Sequence, residues 1–400
     1  MSTQIKKLLN QKDDVLHDGS LGLLCNQTSF DVEKNEYLFQ SLAQRGNLKR
    51  IFLPEHGLYA ELQDQIPLVS TEIYKYLNID AEFISLYGIS ENSLYIKPEH
   101  LTDLDALVID IQDVGSRYYT FATTVSYIFN VLKQIGHPLT IYLLDRPNPA
   151  GRQVEGTLLP AEYSSFVGRP GLPHRHGLTI GELCRFYQDR CGGNFKLNII
   201  SISQEDSERV TYLAPRSTWE ISPSPNMPGP LTPFVYAGQC LLEGTNLSEG
   251  RGTTRPFEIF GAPYLNWIYH KSRPPLVKGA VLRPLRFVPT FHKHAAKICD
   301  GFQLHLTGQF YHSLSHSLKI IHYIKENSGN YFSWRKEVYE YRNDRLAIEI
   351  LVGDSILLDY INGRCDFHLV KQALAEGETN WINQAKKYLL YSQPLFRGKV

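Results

Sequence analysis

The chain has 400 residues, 42% hydrophobic and 20% charged, the profile of a folded globular protein too long for one ordinary core. Lys+Arg and Asp+Glu both number 41, so there is none of the basic excess of a nucleic-acid binder. Six cysteines, none in a CxxC pair, read as reduced core thiols and not as a disulfide frame or a zinc site.

The opening stretch MSTQIKKLLNQKDDVLHD lacks the apolar core of a signal peptide, and no run approaches ~18 apolar residues. The expectation is a cytoplasmic protein with no membrane segment. LGLLCNQTS (21–29) reads as a strand, followed by a helix over about 31–45. KRIFLPEHG (49–57) and DALVIDIQDVG (105–115) read as the second and third strands. Residues 118–136 predict a long helix, with Phe121, Val125, Ile128, Phe129 and Leu132 at helical spacing. LTIYLLD (139–145) is the fourth strand. Thr179 and Glu182 have the spacing of a capping box that starts a helix near 180–190, and KLNIISI (196–202) is the fifth strand. This alternation predicts the α/β class: a Rossmann-like, mostly parallel sheet with helices on both faces.

Prolines then cluster in SPSPNMPGPLTP (222–233), which excludes a regular helix or central strand and predicts a long ordered loop. SRPPLVKGAVLRP (272–284) reads as a boundary between a catalytic domain, 1–270, and a smaller C-terminal α+β domain, 271–400. In the second part RFVPTF (286–291), GFQLHLTG (301–308) and LAIEILVG (346–353) read as strands. A helix is expected near 309–326, and the C-terminus reads as helical.

In a parallel sheet, ligands bind beyond the carboxyl ends of the strands. Here those ends carry Pro54-Glu55-His56-Gly57, then Asp110 to Asp113 with Arg117, then Asp145-Arg146. Strand alternation puts Asp110 and Asp113 on different faces. Glycoside hydrolysis needs two carboxyls, one holding a proton and one ionised. Glu55 is the first candidate for the proton donor; capping a helix or pairing with an arginine is its structural alternative. A second cluster, Glu243 to Pro256, holds glycines that let backbone approach a ligand, and it presents Glu249, Arg251 and Arg255. It has neither Walker A nor GxGxxG spacing. An arginine fork there suits a carboxylate ligand, and a solvated loop with an internal ion pair is the bland alternative. His312 and His316 lack the glutamate of HExxH and read as packing residues, as do His174, His176, His292 and His294. Asp110, Asp113 and His56 are few ligands for a hard cation, so no metal is expected. They do define an alternative function, a metal-assisted phosphoester hydrolase.

The segments FLPEHGL (52–58), DALVIDIQDVGSRYYTF (105–121), LDRPNP (144–149) and SFVGRPGLPHRHGLTIGE (165–182) resemble the exo-β-N-acetylmuramidase family. So do SPSPNMP (222–228), CLLEGTNLSEGRGTTRPFEIFGAP (240–263) and FVPTFHKHAAKICDGFQLHLT (287–307), while YEYRNDRLAIEILVGD (339–354) fits the family's C-terminal domain. The resemblance spans nearly the whole chain. It implies hydrolysis of the β-1,4 bond after a terminal N-acetylmuramic acid (MurNAc) in peptidoglycan fragments of the MurNAc-GlcNAc type, with no cofactor. It carries Glu55 and Glu249 over as catalytic candidates, their individual roles open. His56, Asp113, Arg117, Asn246, Arg251 and Arg255 match positions implied to line the sugar site. A non-catalytic peptidoglycan-binding protein is the remaining alternative. Two departures stand out: family members often carry a secretion signal, and LYAELQD (58–64) replaces their usual glycine-rich, acidic segment.

Overall fold

The computed structural model describes residues 2–203, 221–270, 274–275, 278–307, 311–398 and 400. Six strands form a parallel sheet: β1 (Leu21–Cys25), β2 (Leu48–Leu53), β3 (Glu82–Ser85), β4 (Ala106–Asp110), β5 (Thr140–Leu144) and β6 (Lys196–Ile200). Their order, β3-β2-β1-β4-β5-β6, reverses between β1 and β4, as in a doubly wound nucleotide-binding fold. Side chains alternate strictly. Leu24, Phe52, Leu107, Ile109, Ile141 and Leu143 enter one core; Leu23, Ile51, Leu53, Val108, Tyr142 and Leu144 enter the other. The helices Thr120–Ile135 and Ile180–Cys191 cover the first face, and Ser2–Leu9 and Leu38–Ala43 the second. The predicted capping box is present: Glu182 N–H donates to Thr179 Oγ1 at 3.2 Å and Thr179 N–H to Glu182 Oε2 at 3.0 Å.

The helix expected over 31–45 begins only at Leu38. Asp31 Oδ1 accepts the N–H groups of Glu33 and Lys34, Asn35 is left-handed at φ 55°, and a two-rung hairpin results. Strand β3 was not predicted; its EFIS run lies at the sheet edge, half-exposed and without alternation. In the proline-rich segment the irregular path ends at Leu231. Thr232 and Pro233 open a helix that runs to Gln239, with proline in the first turn where its missing N–H has no partner to lose.

The C-terminal part holds a three-stranded antiparallel sheet of β7 (Ile259–Ala262), β8 (Ala280–Phe287) and β9 (Cys299–Leu306), with β9 central. It draws strands from both sides of position 271. Within the proline-bearing 272–284 segment, 272–273 and 276–277 lie outside the described residues, and 280–284 already belong to β8. Pro284 is tolerated because β8 is an edge strand. The strand expected at 286–291 is thus the tail of β8, ending at Phe287. Residues 308–310, shared by a predicted strand and helix, also lie outside the described residues; the helix runs over Ser313–Ser328.

LAIEILVG, expected as a strand, is the helix Ala347–Val352. Leu346 N–H is capped by Glu349 Oε2 at 2.8 Å, and left-handed Gly353 closes the helix. Burial on every side removes the periodicity that would have marked it. Two further helices, Ser355–Ile361 and Phe367–Ala385, complete the chain's helical end. They share one continuous core with the first face of the parallel sheet. Trp381 is fully buried there, donating from Nε1 to His176 O at 2.8 Å, and Phe396–Arg397 pairs with Gln153–Val154.

Candidate active site

Strand β2 delivers Glu55 to the carboxyl edge of the sheet. His56 and Gly57 are both left-handed, at φ 77° and 85°, so the chain turns sharply just after it. A left-handed histidine costs about 1–3 kcal/mol, the kind of strain that accumulates at working sites. Glu55 is buried. Its carboxylate accepts the Thr120 hydroxyl at 2.7 Å, from the helix that follows β4, and Gln65 N–H at 3.2 Å. His56 Nδ1 donates to Leu62 O at 2.9 Å.

Arg251, from the glycine-and-arginine loop, faces this edge. Its guanidinium meets Asp64 through Nη1 at 3.0 Å, Glu243 through Nη2 at 2.7 Å and Glu249 through Nε at 3.2 Å. Burial works against its charge, but these three carboxylates hold it firmly protonated. Tyr339 donates its hydroxyl to the other Glu243 oxygen at 2.6 Å. Between Glu55 and Arg251 lies a narrow cavity lined by both side chains. Its walls are Tyr118, Tyr119, Tyr236, Phe257 and Tyr339, with Ser224, Asn226 and Met227 from the proline-rich segment. Rigid rings beside buried carboxyls suit a polar ligand with apolar faces.

Of the predicted residues, Glu55, His56 and Arg251 meet in this cavity. Glu249 lies behind Arg251, wholly buried, and also meets Lys293 at 2.9 Å and His292 at 3.1 Å. Burial raises its pKa, yet Lys293, His292 and Arg251 outweigh that and hold the carboxyl well below the usual range. It reaches the cavity only through Arg251. Asp113 accepts Gly115 N–H at 2.7 Å and sits 3.3 Å from His176 Nε2. Arg117 donates to the carbonyls of Thr157, Leu172, Leu351 and Val352, and burial lowers its pKa to about 10. Asn246 binds Tyr331 O and the Tyr264 hydroxyl and lines a separate cleft with His292, His294, Trp334 and Arg335. Arg255 is half-exposed and pairs with Glu258 at 3.1 Å.

The residues of the metal-centred alternative are engaged separately. Asp110 takes Arg146 at 2.6 Å and the Ser29 hydroxyl at 2.6 Å, away from Asp113 and His56's own partners. Among the described residues, no group of three or more His, Cys, Asp or Glu is arranged to hold a metal. His312 caps its helix by accepting Ser315 N–H and bonds Glu378, and His316 bonds the Tyr311 hydroxyl, so both serve packing.

Three acidic groups on the cavity were not singled out by motif: Asp64, Glu243 and Glu340. Glu243 lies within the glycine-and-arginine cluster, but nothing in the sequence marks the other two. Glu340 and Tyr341 are the central residues of a two-residue turn, with Tyr339 and Arg342 exchanging backbone hydrogen bonds at 3.1 and 2.9 Å. Both central residues are left-handed, at φ 47° and 66°. Asn-Gly is the usual pair for such a turn, so Glu-Tyr gives no signal for it. Tyr87 donates its hydroxyl to Glu340 at 3.1 Å. Burial, then the charge of Glu55, pushes the Glu340 carboxyl well above the usual carboxylate range.

Fold and cavity together define an α/β enzyme whose site, beside a sheet switch point, is furnished as glycoside hydrolases furnish theirs: buried carboxyls in unlike environments. The chain belongs to the exo-beta-N-acetylmuramidase NamZ family, whose N-terminal model matches residues 21–230 and whose C-terminal model matches residues 234–391. A relative, the peptidoglycan beta-N-acetylmuramidase NamZ of Bacillus subtilis strain 168, is 34% identical over 320 residues, covering 77% of this chain and 73% of the relative. Two crystal structures of DUF1343 family proteins from Bacteroides fragilis share the fold. One has a TM-score of 0.76 and 22% identity, covering 97% of this chain and 98% of that one. The other has a TM-score of 0.69 and 23% identity, covering 98% of each.

Proposed function

We propose that this chain hydrolyses the glycosidic bond after a terminal MurNAc, releasing that sugar from the non-reducing end of peptidoglycan fragments during cell-wall turnover. Membership of the muramidase family and the likeness to the B. subtilis muramidase support the reaction class. The observation that carries the reading is the cavity itself: Glu55 faces an aromatic-walled space closed by the Arg251 cluster. Glu55 is held in place by two hydrogen-bond donors, the Thr120 hydroxyl and Gln65 N–H. An ionised carboxylate there stabilises positive charge on the sugar ring, activates water or attacks C1.

Arg251 is the cavity's guanidinium. Its three carboxylate partners leave an N–H bond on each terminal nitrogen, the donors this reading assigns to the lactyl carboxylate of MurNAc. Glu249, behind it, acts as a positioning residue that keeps Arg251 charged and aimed. Asp113, Arg117, Asn246 and Arg255 hold structure around the site, through backbone or ion-pair partners of their own. The test is a pair of chromogenic β-glycosides, one of MurNAc and one of GlcNAc. Release from the MurNAc glycoside alone is expected. Equal release from both removes the lactyl recognition, and turnover of neither by folded protein removes the hydrolase.

A further inference from the structure

We infer that Glu340 is the proton donor of this site, the group that protonates the leaving oxygen, with Glu55 as the second carboxyl of the pair. The inference rests on the glycosidase reading above and adds a catalytic residue to it. Both side chains line the same cavity, but their partners differ in kind. Glu55 accepts two hydrogen bonds, from Thr120 and Gln65. Glu340 receives one, from the Tyr87 hydroxyl, and forms no ion pair among the described residues. The charges that act on it most are those of Glu55, Glu243 and Asp64, all acidic. The cavity's guanidinium, Arg251, is held by Asp64 and Glu243 instead. Of two acids sharing one low-dielectric space, the one with fewer donors keeps the proton. The raised pKa of Glu340 agrees with that assignment.

The backbone adds a second, independent sign. Glu340 and Tyr341 occupy consecutive left-handed positions where Asn-Gly relieves strain, at φ 47° and 66°. Residues so held cost on the order of 1–3 kcal/mol each and cluster where a side chain must be aimed. Tyr341 pins the turn by donating its hydroxyl to Gly88 O at 2.7 Å. A neutral carboxyl that only packs against Tyr87 would need no such turn.

The chemistry balances. The C1–O bond breaks, its electron pair stays on the leaving oxygen, and the Glu340 proton joins it there. A water oxygen bonds to C1. Its surplus proton restores Glu340, directly after an intermediate or by way of Glu55 in a single displacement.

Glu340→Gln and Glu340→Asn separate this role from packing, since Asn tolerates the left-handed position. Each variant is assayed on MurNAc-GlcNAc, whose leaving hydroxyl needs a proton, and on 2,4-dinitrophenyl β-MurNAc, whose phenolate does not. For the disaccharide, kcat/KM is expected to fall about 10²–10⁴-fold, and for the dinitrophenyl glycoside by less than about tenfold. The alkaline limb of the wild-type kcat/KM profile should vanish in both variants. Equal losses on the two substrates, a persisting alkaline limb, or near-wild-type turnover of the disaccharide overturns the assignment. Wild-type protein serves if neither variant folds: a weak dependence of kcat/KM on leaving-group acidity across aryl β-MurNAc glycosides is expected, and a steep one overturns the donor. Wild-type protein inactive on every MurNAc glycoside removes the glycosidase reading itself, whereas an active wild type with evenly impaired variants removes only the role of Glu340.

Discussion

Glu249→Gln tests whether Glu249 touches substrate or holds Arg251. The substitution keeps the side chain's size and removes the charge facing Lys293, His292 and Arg251 Nε, at 2.9, 3.1 and 3.2 Å. Removing one partner of a buried ion pair costs about 3–5 kcal/mol. At ~2.1 cal/mol/K of unfolding entropy per residue, 400 residues carry ~0.84 kcal/mol/K, so the thermal midpoint falls by ~4–6 °C. The folded carboxyl titrates below its unfolded value of about 4.5, so the stabilisation is complete above that pH and fades as pH falls further. The gap between wild type and variant is therefore widest near pH 7 and narrows towards about pH 3. Calorimetry across pH measures it. Activity falls through a loosened Arg251, by about 10–100-fold, with the shape of the pH–rate profile unchanged. A variant that melts with wild type yet loses more than about 10³-fold in kcat/KM refutes the positioning role and makes Glu249 a direct catalyst.

Three further outcomes follow from the same contacts. Glu55→Gln should lower kcat/KM by about 10²–10⁴-fold in a steady-state assay, with a thermal midpoint equal to or above wild type because it relieves acidic crowding with Glu340. Arg117→Met abandons four buried carbonyls, so the midpoint should drop by at least about 4 °C with KM for MurNAc glycosides unchanged; a raised KM without a change in melting marks a substrate contact instead. Burial raises the Asp145 pKa to about 6, so this group's contribution to stability declines as pH rises from its unfolded value of about 3.8 through about 6. The Tyr391 hydroxyl, 2.5 Å from Asp145, opposes that loss, and Tyr391→Phe should lower the urea midpoint more at pH 8 than at pH 4.

The parallel sheet could be read from sequence because its central strands are buried on both faces, leaving short apolar runs that end in Pro-Glu-His-Gly or Asp-Arg-Pro. The same strand ends pointed to Glu55. What failed to show was anything decided by a turn conformation or by the side of a loop a charge faces. Residues 31–37 carry helical spacing, yet Asp31 and Asn35 fold them into a hairpin. The Glu243–Arg255 loop was visible as a motif, but no spacing rule sends Arg251 forward and Glu249 back; that choice is made by Lys293 and His292, over 40 positions along the chain. Glu340 is hidden for a related reason. A turn built from Glu-Tyr against local preference exists only because Tyr87, Gly88 and Ser164 hold its flanks.

The site draws on both halves of the family match. Glu55, His56 and Asp64 come from the 21–230 match, whereas Glu243, Arg251, Tyr339 and Glu340 come from the 234–391 match. The first half supplies the carboxylate with two donors, and the second supplies the acid without a cation and the arginine. The links between them are polar and directional: Arg251 to Asp64 at 3.0 Å, Tyr87 to Glu340 at 3.1 Å, Tyr341 to Gly88 at 2.7 Å and Arg335 to Gln65 at 3.3 Å. Separated, the first half would leave Asp64 without its guanidinium and the second would open Arg251 and Glu340 to water. Their pKa values would move towards ordinary ones, because the shifts come from burial and in part from Asp64 and Glu55 on the opposite half. Docking of the halves and creation of unlike carboxyls are thus one event, and a substitution that loosens the seam should cost activity before it costs secondary structure.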